Sequence, residues 1–241
     1  MSNELILICT LIVEFGLLEL MYFFFKKEGV FAWSVLATIA YNIEVMILVH
    51  AFGADMTLGN ILFASTFLAT DILSENYDKK TADKAVGMSI VTSILFLAIS
   101  QSWFLYHPAA QDTASPQIRA VFSQTPRLIL ASVAVYILVQ FMDVALYHRI
   151  WHFTEKKSGS KQKFLWLRNN AATLLSQLVN SFLYNWLAFY GTYSTRTLVS
   201  ISLSSFVIFI VTSLADTPFI YLSRRIHQYH QKKEQEKRAD L

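Results

Sequence analysis

Long apolar runs broken by short charged loops divide the chain into seven stretches of membrane-spanning length. They run roughly Glu4–Phe25, Val30–Val49, Thr57–Ser74, Ala85–Tyr106, Pro126–Tyr147, Leu167–Phe189 and Leu198–Leu222. Inside these runs polar residues recur at helical spacing instead of at random. The third run places Asn60, Ala64, Phe67, Asp71 and Glu75 along one face, with small residues Gly59, Ala64, Ser65 and Ala69 that let neighbouring helices come close. The fifth carries Tyr136, Gln140, Asp143 and Tyr147, and the sixth Asn169, Thr173, Gln177, Asn180 and Tyr184. The seventh holds Asp216-Thr217-Pro218, where proline frees a backbone carbonyl and predicts a kink. Asn42 and Glu44 mark the second run, and Glu14 and Glu19 the first, whose acids fit either a peripheral or a buried helix.

Composition fixes the class. Hydrophobic residues make up 54% of the chain and charged ones 15%, which predicts an all-α polytopic membrane protein of about seven transmembrane helices: a six-helix core preceded by one N-terminal helix. It is read as one membrane-embedded domain over residues 1–241, with a basic tail at 226–241. The first run is not expected to be a cleavable leader, because no Lys or Arg precedes it and it exceeds the length of a signal core. Basic residues then orient the spans. Lys26 and Lys27, then Lys79, Lys80 and Lys84, then the 148–168 loop and the tail carry most of the charge, whereas the alternate loops hold Arg119, Arg127 and Arg196. The N-terminus is therefore expected outside and the C-terminus in the cytoplasm. The five tryptophans, Trp33, Trp103, Trp151, Trp166 and Trp186, fall near span ends, where interfacial anchors belong.

The lone Cys9 precludes an internal disulfide, and the net charge of +3 is spread over loops in a way that suggests lipid headgroups, not nucleic acid. His148 and His152 lie four apart without a matching carboxylate set, so no metal is expected, nor any cofactor. Arg168 is read as an interfacial anchor, and Glu75 as the partner of Lys79 at the helix end. The acids matter more. Each costs about 2.5–3.5 kcal/mol near the centre of a spanning helix, so Asp71, Asp143 and Asp216 facing lipid would cost up to about 10 kcal/mol, the stability of a whole domain. They must face a shared interior.

The string Thr57-Leu-Gly59-Asn60-Ile-Leu-Phe-Ala-Ser-Thr-Phe-Leu-Ala-Thr-Asp71-Ile-Leu-Ser-Glu75-Asn-Tyr77 closely resembles the signature of the queuosine-precursor transporters, a vitamin-uptake-transporter-like family. The same order of motifs continues through Asn42, Thr125-Pro126-Arg127 with Ala131-Ser132, Gln140-Phe-Met-Asp143, Trp166-Leu-Arg168-Asn169-Asn170 with Ser176-Gln177, and Asp216-Thr217-Pro218 with Tyr221. The resemblance covers about residues 30–225. It implies inner-membrane import of 7-deazaguanine bases such as 7-cyano-7-deazaguanine for tRNA queuosine, and a distant relation to the substrate-binding subunits of energy-coupling-factor transporters. Two positions depart from the pattern: Asp78 stands where glycine is usual, and Asn180 where many members have aspartate.

Residue chemistry points the same way. A guanine-like base presents N–H groups to carboxylates, a carbonyl to amides and a flat face to aromatic rings. The substrate-binding set read from the sequence is Asn42, Asn60, Phe67, Asp71, Glu75, Arg127, Tyr136, Gln140, Asp143, Asn169, Gln177, Asn180, Tyr184 and Asp216, with no catalytic residue. Partners are the small 7-deazaguanine substrate and the bilayer, with homo-oligomerisation left open. Two alternatives stand beside this expectation. A substrate-binding subunit served by an external ATPase fits the same residues, whereas a membrane-embedded enzyme lacks a nucleophile, base and orienting group. A retinal receptor is excluded because the seventh run has no lysine. No Walker loop is present, so proton coupling through Asp71 or metabolic trapping is expected to drive accumulation.

Overall fold

The computed structural model describes residues 2–45, 47–122, 126–160 and 163–239. The chain folds into helices α1 (Asn3–Glu44), α2 (Gly59–Asn76), α3 (Lys79–Ser102), α4 (Ser115–Phe122), α5 (Pro126–Ser158), α6 (Leu165–Phe189) and α7 (Thr195–Ala239), with a 3-10 turn at Trp103–Leu105 and a two-stranded hairpin, β1 (Leu48–Ala51) and β2 (Ala54–Thr57). The protein is an all-α membrane protein. Among the described residues, four helical stretches are long and apolar enough to cross a bilayer: Asn3–Glu44, Lys79–Leu105, Leu130–Ser158 and Thr195–Ala239.

α1 is two helices joined by a sharp bend. Lys26 leaves helical geometry (φ 53°, ψ −139°). A straight helix of this length would separate its ends by about 60 Å. Instead the Asn3 side-chain amide donates to the His50 carbonyl at 2.9 Å, and the Phe52 N–H donates to Glu4 at 3.1 Å. The limbs therefore run antiparallel, as the first two predicted spans require. Gly29 makes the bend feasible, because a β-carbon there would meet the Met21 carbonyl oxygen at 2.0 Å. The second limb stops at Glu44, short of the expected Val49. Leu48 and Val49 enter β1, which pairs with β2 through a tight turn at Phe52 and Gly53, both with positive φ (53° and 74°), the backbone of a type I′ hairpin. That small sheet was not foreseen, and neither was the short helix α4 between the fourth and fifth predicted spans.

The bundle has two ends. At the bend end, Lys26 pairs with Glu234, the Tyr22 hydroxyl meets His227 Nδ1 at 2.8 Å, and Tyr77, just beyond α2, packs its ring on both Tyr22 and His227. The start of α1 and the β-hairpin form the opposite end. α2 runs between them as the central helix, buried almost along its whole length, and packs against α1, α3, α5 and α7. Its start touches the end of α1 so closely that a β-carbon on Gly59 would lie 2.8 Å from the Val45 nitrogen. α1, α3 and α7 turn rows of large apolar side chains outward, among them Ile12, Val13, Phe24, Val91, Leu95, Val207 and Val211. Such rows suit lipid.

One expectation is corrected by packing. Trp33 is no interfacial anchor: it is buried, and its indole N–H donates to the Ser65 hydroxyl at 2.9 Å, binding α1 to α2. α7 continues as helix past Pro218, whose neighbour Thr217 accepts a hydrogen bond from Asn170 of α6 at 2.7 Å.

Candidate functional site

Asp71 lies deep on α2, fully buried, with Asp143 of α5 and Asp216 of α7 close enough to act on it electrostatically. The helical spacing read from the sequence thus converges from three helices. α6 supplies the polar groups between them. Thr173 donates to Asp71 Oδ2 at 3.5 Å, Ser176 to Asp143 Oδ1 at 2.9 Å, and Asn169 Nδ2 to Asp216 Oδ1 at 2.6 Å. One turn toward the β-hairpin, Gln140 Nε2 donates to the Thr66 hydroxyl at 2.7 Å, and Asn180 Nδ2 to Gln177 Oε1 at 3.0 Å.

These contacts leave a consistent remainder. Among the described residues, Asp71 Oδ1, Asp143 Oδ2, Gln140 Oε1, Asn169 Oδ1 and Gln177 Nε2 are buried without a hydrogen-bond partner. Four are oxygens that accept and one is an amide that donates. Buried polar groups are rarely left unpaired, because each costs about 1–3 kcal/mol. Five from three adjoining helices form a polar surface complementary to something with several N–H groups and one carbonyl. Beside it the fully buried Phe67 packs with Val135 and Val139, and half-buried Tyr184 lies against the same group. Phe63 links Phe67 (ring centroids 5.4 Å) to Tyr136 (6.0 Å) and Tyr41 (5.3 Å).

One turn toward the bend, the chemistry changes. Glu75 does not pair with Lys79, which bridges to Asp83 on its own helix at 2.6 Å. It is gripped by the Arg168 guanidinium of α6 through Nε–Oε2 at 2.9 Å and Nη2–Oε1 at 2.7 Å, by Arg224 of α7 through Nε at 3.0 Å, and by the Tyr147 hydroxyl of α5 at 2.7 Å. Arg168 is no surface anchor. It is fully buried, caps the Lys163 carbonyl at 3.0 Å and lies 4.3 Å from the Trp151 ring. Sequence reasoning missed this because Lys79 at i+4 is the nearest cation in the chain, whereas Arg168 and Arg224 lie 93 and 149 residues away. The place of Arg168 inside a family-like motif was the available signal; Arg224 lies in none of those motifs.

The remaining predicted residues fall elsewhere. Asn42 turns back on its own helix and donates to the Thr38 carbonyl at 2.6 Å, and Asn60 accepts from the Thr57 hydroxyl at 3.0 Å, holding the start of α2. Neither joins the acids. The side chain of Arg127 lies outside the described residues.

Comparison with known proteins bears on this arrangement. Residues 57–223 match a family model described as "Putative vitamin uptake transporter". The chain is similar to a Bacillus subtilis (strain 168) protein named "Probable queuosine precursor transporter", with 32% identity over 226 residues, 94% of this chain and 96% of that one. No solved structure matches. The matched segment begins two residues before α2 and ends one residue before Arg224, so it contains the acids, their amide partners and Arg168. The chain belongs to this family of multi-pass membrane vitamin uptake transporters.

Proposed function

We propose that the protein imports 7-deazaguanine bases, queuosine precursors such as 7-cyano-7-deazaguanine, through the site around Asp71. The name of the Bacillus subtilis relative supports the substrate class. The observation that carries the reading is the set of four unpaired acceptors and one unpaired amide donor. A 7-deazaguanine carries a ring N–H beside an exocyclic amine, a pyrrole N–H, and one carbonyl, which is the complementary pattern. Asp71 and Asp143 would accept the amine and ring N–H groups, Gln140 and Asn169 the remaining N–H, and Gln177 would donate to the carbonyl. Phe67 and Tyr184 offer the flat base an aromatic neighbour, with Tyr136 behind Phe63. Asp216 acts through Asn169, and Asn180 orients Gln177.

In this reading the chain crosses the bilayer seven times as a single domain, the limbs of α1 counting as two crossings. The N-terminus lies outside, and the bend end, where Lys26, Lys163 and Arg224 gather, faces the cytoplasm. The family core spans about 30–225, followed by a cytoplasmic basic tail at 226–241. The Glu75 cluster then closes the inner side of the site, tying α2, α5, α6 and α7 together below the acids. Substrate delivery inward requires that cluster to part.

The deciding experiment is precursor uptake in cells that cannot make the base, read as queuosine in their tRNA. Expression of this chain should restore the modification from externally supplied 7-cyano-7-deazaguanine. Unmodified tRNA, with the protein present in the membrane, would refute the proposal. Orientation is tested separately with impermeant thiol reagents: cysteines placed in the Tyr106–Thr125 loop should react from outside, and those in the Lys156–Lys163 loop should not.

A further inference from the structure

The end of α5 and the start of α6 leave between them a groove of about 370 Å³. That is a ligand-sized space, within the roughly 300–1,000 Å³ of small-molecule clefts. α5 forms one wall with Phe153, Thr154, Lys157 and Ser158, whose spacing of i, i+1, i+4 and i+5 puts them on one helix face. Lys163, Phe164 and Leu167 form the other. Trp166, exposed in the first turn of α6, marks the groove as lying at the membrane interface.

Both walls carry the same two kinds of side chain. Phe153 and Phe164 stand exposed at 67% and 44%, with Leu167 partly buried beside them. Lys157 and Lys163 are exposed too, and among the described residues neither ammonium group pairs with an acid. Glu155 is the sole acid between positions 148 and 168, against six basic residues, and it does not line the groove. The hydroxyl protons are already committed: Thr154 donates to the Trp151 carbonyl at 2.9 Å and Ser158 to the Thr154 carbonyl at 2.7 Å. A polar occupant therefore meets chiefly the two cations. Phe164, at the N-cap of α6, provides no side-chain cap, so the positive end of this helix adds to the same field.

We propose that the groove is a discrete binding site for one anionic phospholipid of the surrounding bilayer. Its phosphate pairs with Lys157 and Lys163, and the start of its acyl chains lies on Phe153, Phe164 and Leu167. Charge and apolar surface select this occupant together. A zwitterionic headgroup brings its own cation toward the lysines, and a free phosphate gains nothing from the rings. Basic pockets between spanning helices are where acidic headgroups bind. The site also reaches inward, because the Lys163 carbonyl accepts Nη1 of Arg168 at 3.0 Å and Arg168 grips Glu75. A lipid seated there steadies the wall to which the Glu75 cluster is tied. Any consequence for transport rests on the importer reading above; the lipid site does not.

The test uses the full-length protein in vesicles of mixed phosphatidylcholine and phosphatidylglycerol. A trace of either lipid, bearing a diazirine near its glycerol, is photoactivated and the adducts are mapped on peptides. Between residues 153 and 167 the phosphatidylglycerol probe should label at least about fivefold more than the phosphatidylcholine probe. The double variant Lys157→Gln, Lys163→Gln should lose that preference. Lys80→Gln, which removes an exposed cation from the same end of the bundle, should keep it. Labelling of the outward row of α1 at Ile12 and Val13 should be equal in all three proteins, showing an intact fold. Equal labelling of the groove by both probes, or the same loss in Lys80→Gln as in the double variant, overturns the site in favour of diffuse surface charge. Displacement of the label by dissolved glycerol phosphate would assign the groove to a soluble phosphate and overturns the lipid. No adduct from either probe, as expected where a second copy of the chain covers the groove, overturns it as well. Labelling needs no transport, so a protein that fails to take up 7-cyano-7-deazaguanine defeats the importer reading and leaves the lipid result standing.

Discussion

Asp71 and Glu75 stand one turn apart on α2, two buried acids of one helix face, and their surroundings treat them oppositely. Glu75 is saturated: two guanidinium groups and a phenol fill its lone pairs, and the cluster joins four helices. Asp71 receives one long hydrogen bond from Thr173 and keeps an oxygen unpaired, beside other unpaired groups on α5 and α6. A polar cluster that exists to hold helices together satisfies itself, because every unpaired atom would weaken it. One that exists to hold a ligand keeps its pairing capacity for that ligand. On the proposed reading, saturation, more than burial or charge, separates scaffold from site.

The comparison breaks most visibly at Arg168. Arg168→Ala leaves Glu75 buried with half its charge compensation gone, and removing one partner of a buried pair costs about 3–5 kcal/mol. The variant should lose most of its folded population, read as a sharply lowered melting temperature in detergent and a reduced level in the membrane. Glu75→Gln, which keeps the shape but strands two arginines, should behave in the same direction. A variant that melts like the parent and fails only in uptake would place Glu75 with the ligand groups after all.

The acids of the unsaturated cluster should show the reverse. Asp71→Asn and Asp143→Asn preserve volume and most hydrogen bonds, so folding survives, but each replaces an acceptor that the proposed reading turns toward the base with a donor. Uptake of 7-cyano-7-deazaguanine should fall at least about a hundredfold, the ~2.7 kcal/mol expected when a charge-assisted hydrogen bond becomes a mismatch. Asn42→Ala and Asn60→Ala, which alter local hydrogen bonds away from the acids, should leave uptake near the parent level. Normal uptake by both aspartate variants would make the cluster structural. A smaller loss is expected at Asp216, which acts on the site through Asn169. Asp216→Asn weakens a charge-assisted contact to a neutral one, about half its strength, and should lower uptake about five- to tenfold with melting unchanged.

The sequence revealed the acids because a charge in an apolar run is conspicuous, and helical spacing placed each on a stripe. It also revealed the two limbs of α1, since Lys26 and Lys27 interrupt an otherwise continuous run. It hid what depends on long-range pairing. Lys79 stood four residues from Glu75 and looked like its partner, but side-chain geometry gives Lys79 to Asp83 and brings Arg168 and Arg224 from other helices. The same limit explains Trp33, whose position near a span end could not disclose that Ser65 waits across α2. Residue types that can serve as either scaffold or site are sorted by their partners, and partners lie outside any local window.

Asp78 offers the smallest and most local contrast: an acid that is neither buried nor bound to another helix. It is the N-cap of α3, accepting the Thr81 hydroxyl at 2.8 Å and the Thr81 N–H at 2.7 Å. The glycine that the resemblance leads one to expect at this position is itself an acceptable cap. Asp78→Ala should cost about 1 kcal/mol and Asp78→Gly only a few tenths. The Thr81 hydroxyl first, then the Thr81 N–H, hold the Asp78 carboxyl below its ordinary range. A lowered folded-state value means that the capping contribution is fully present above the ordinary carboxylate pKa and disappears as pH falls through the lower, folded one. Melting curves of the parent and Asp78→Ala should therefore converge in acid and separate by the full capping contribution near neutrality, with uptake unaffected at pH 7. A difference that persisted at low pH would mean that the alanine acts through something other than the lost carboxylate cap.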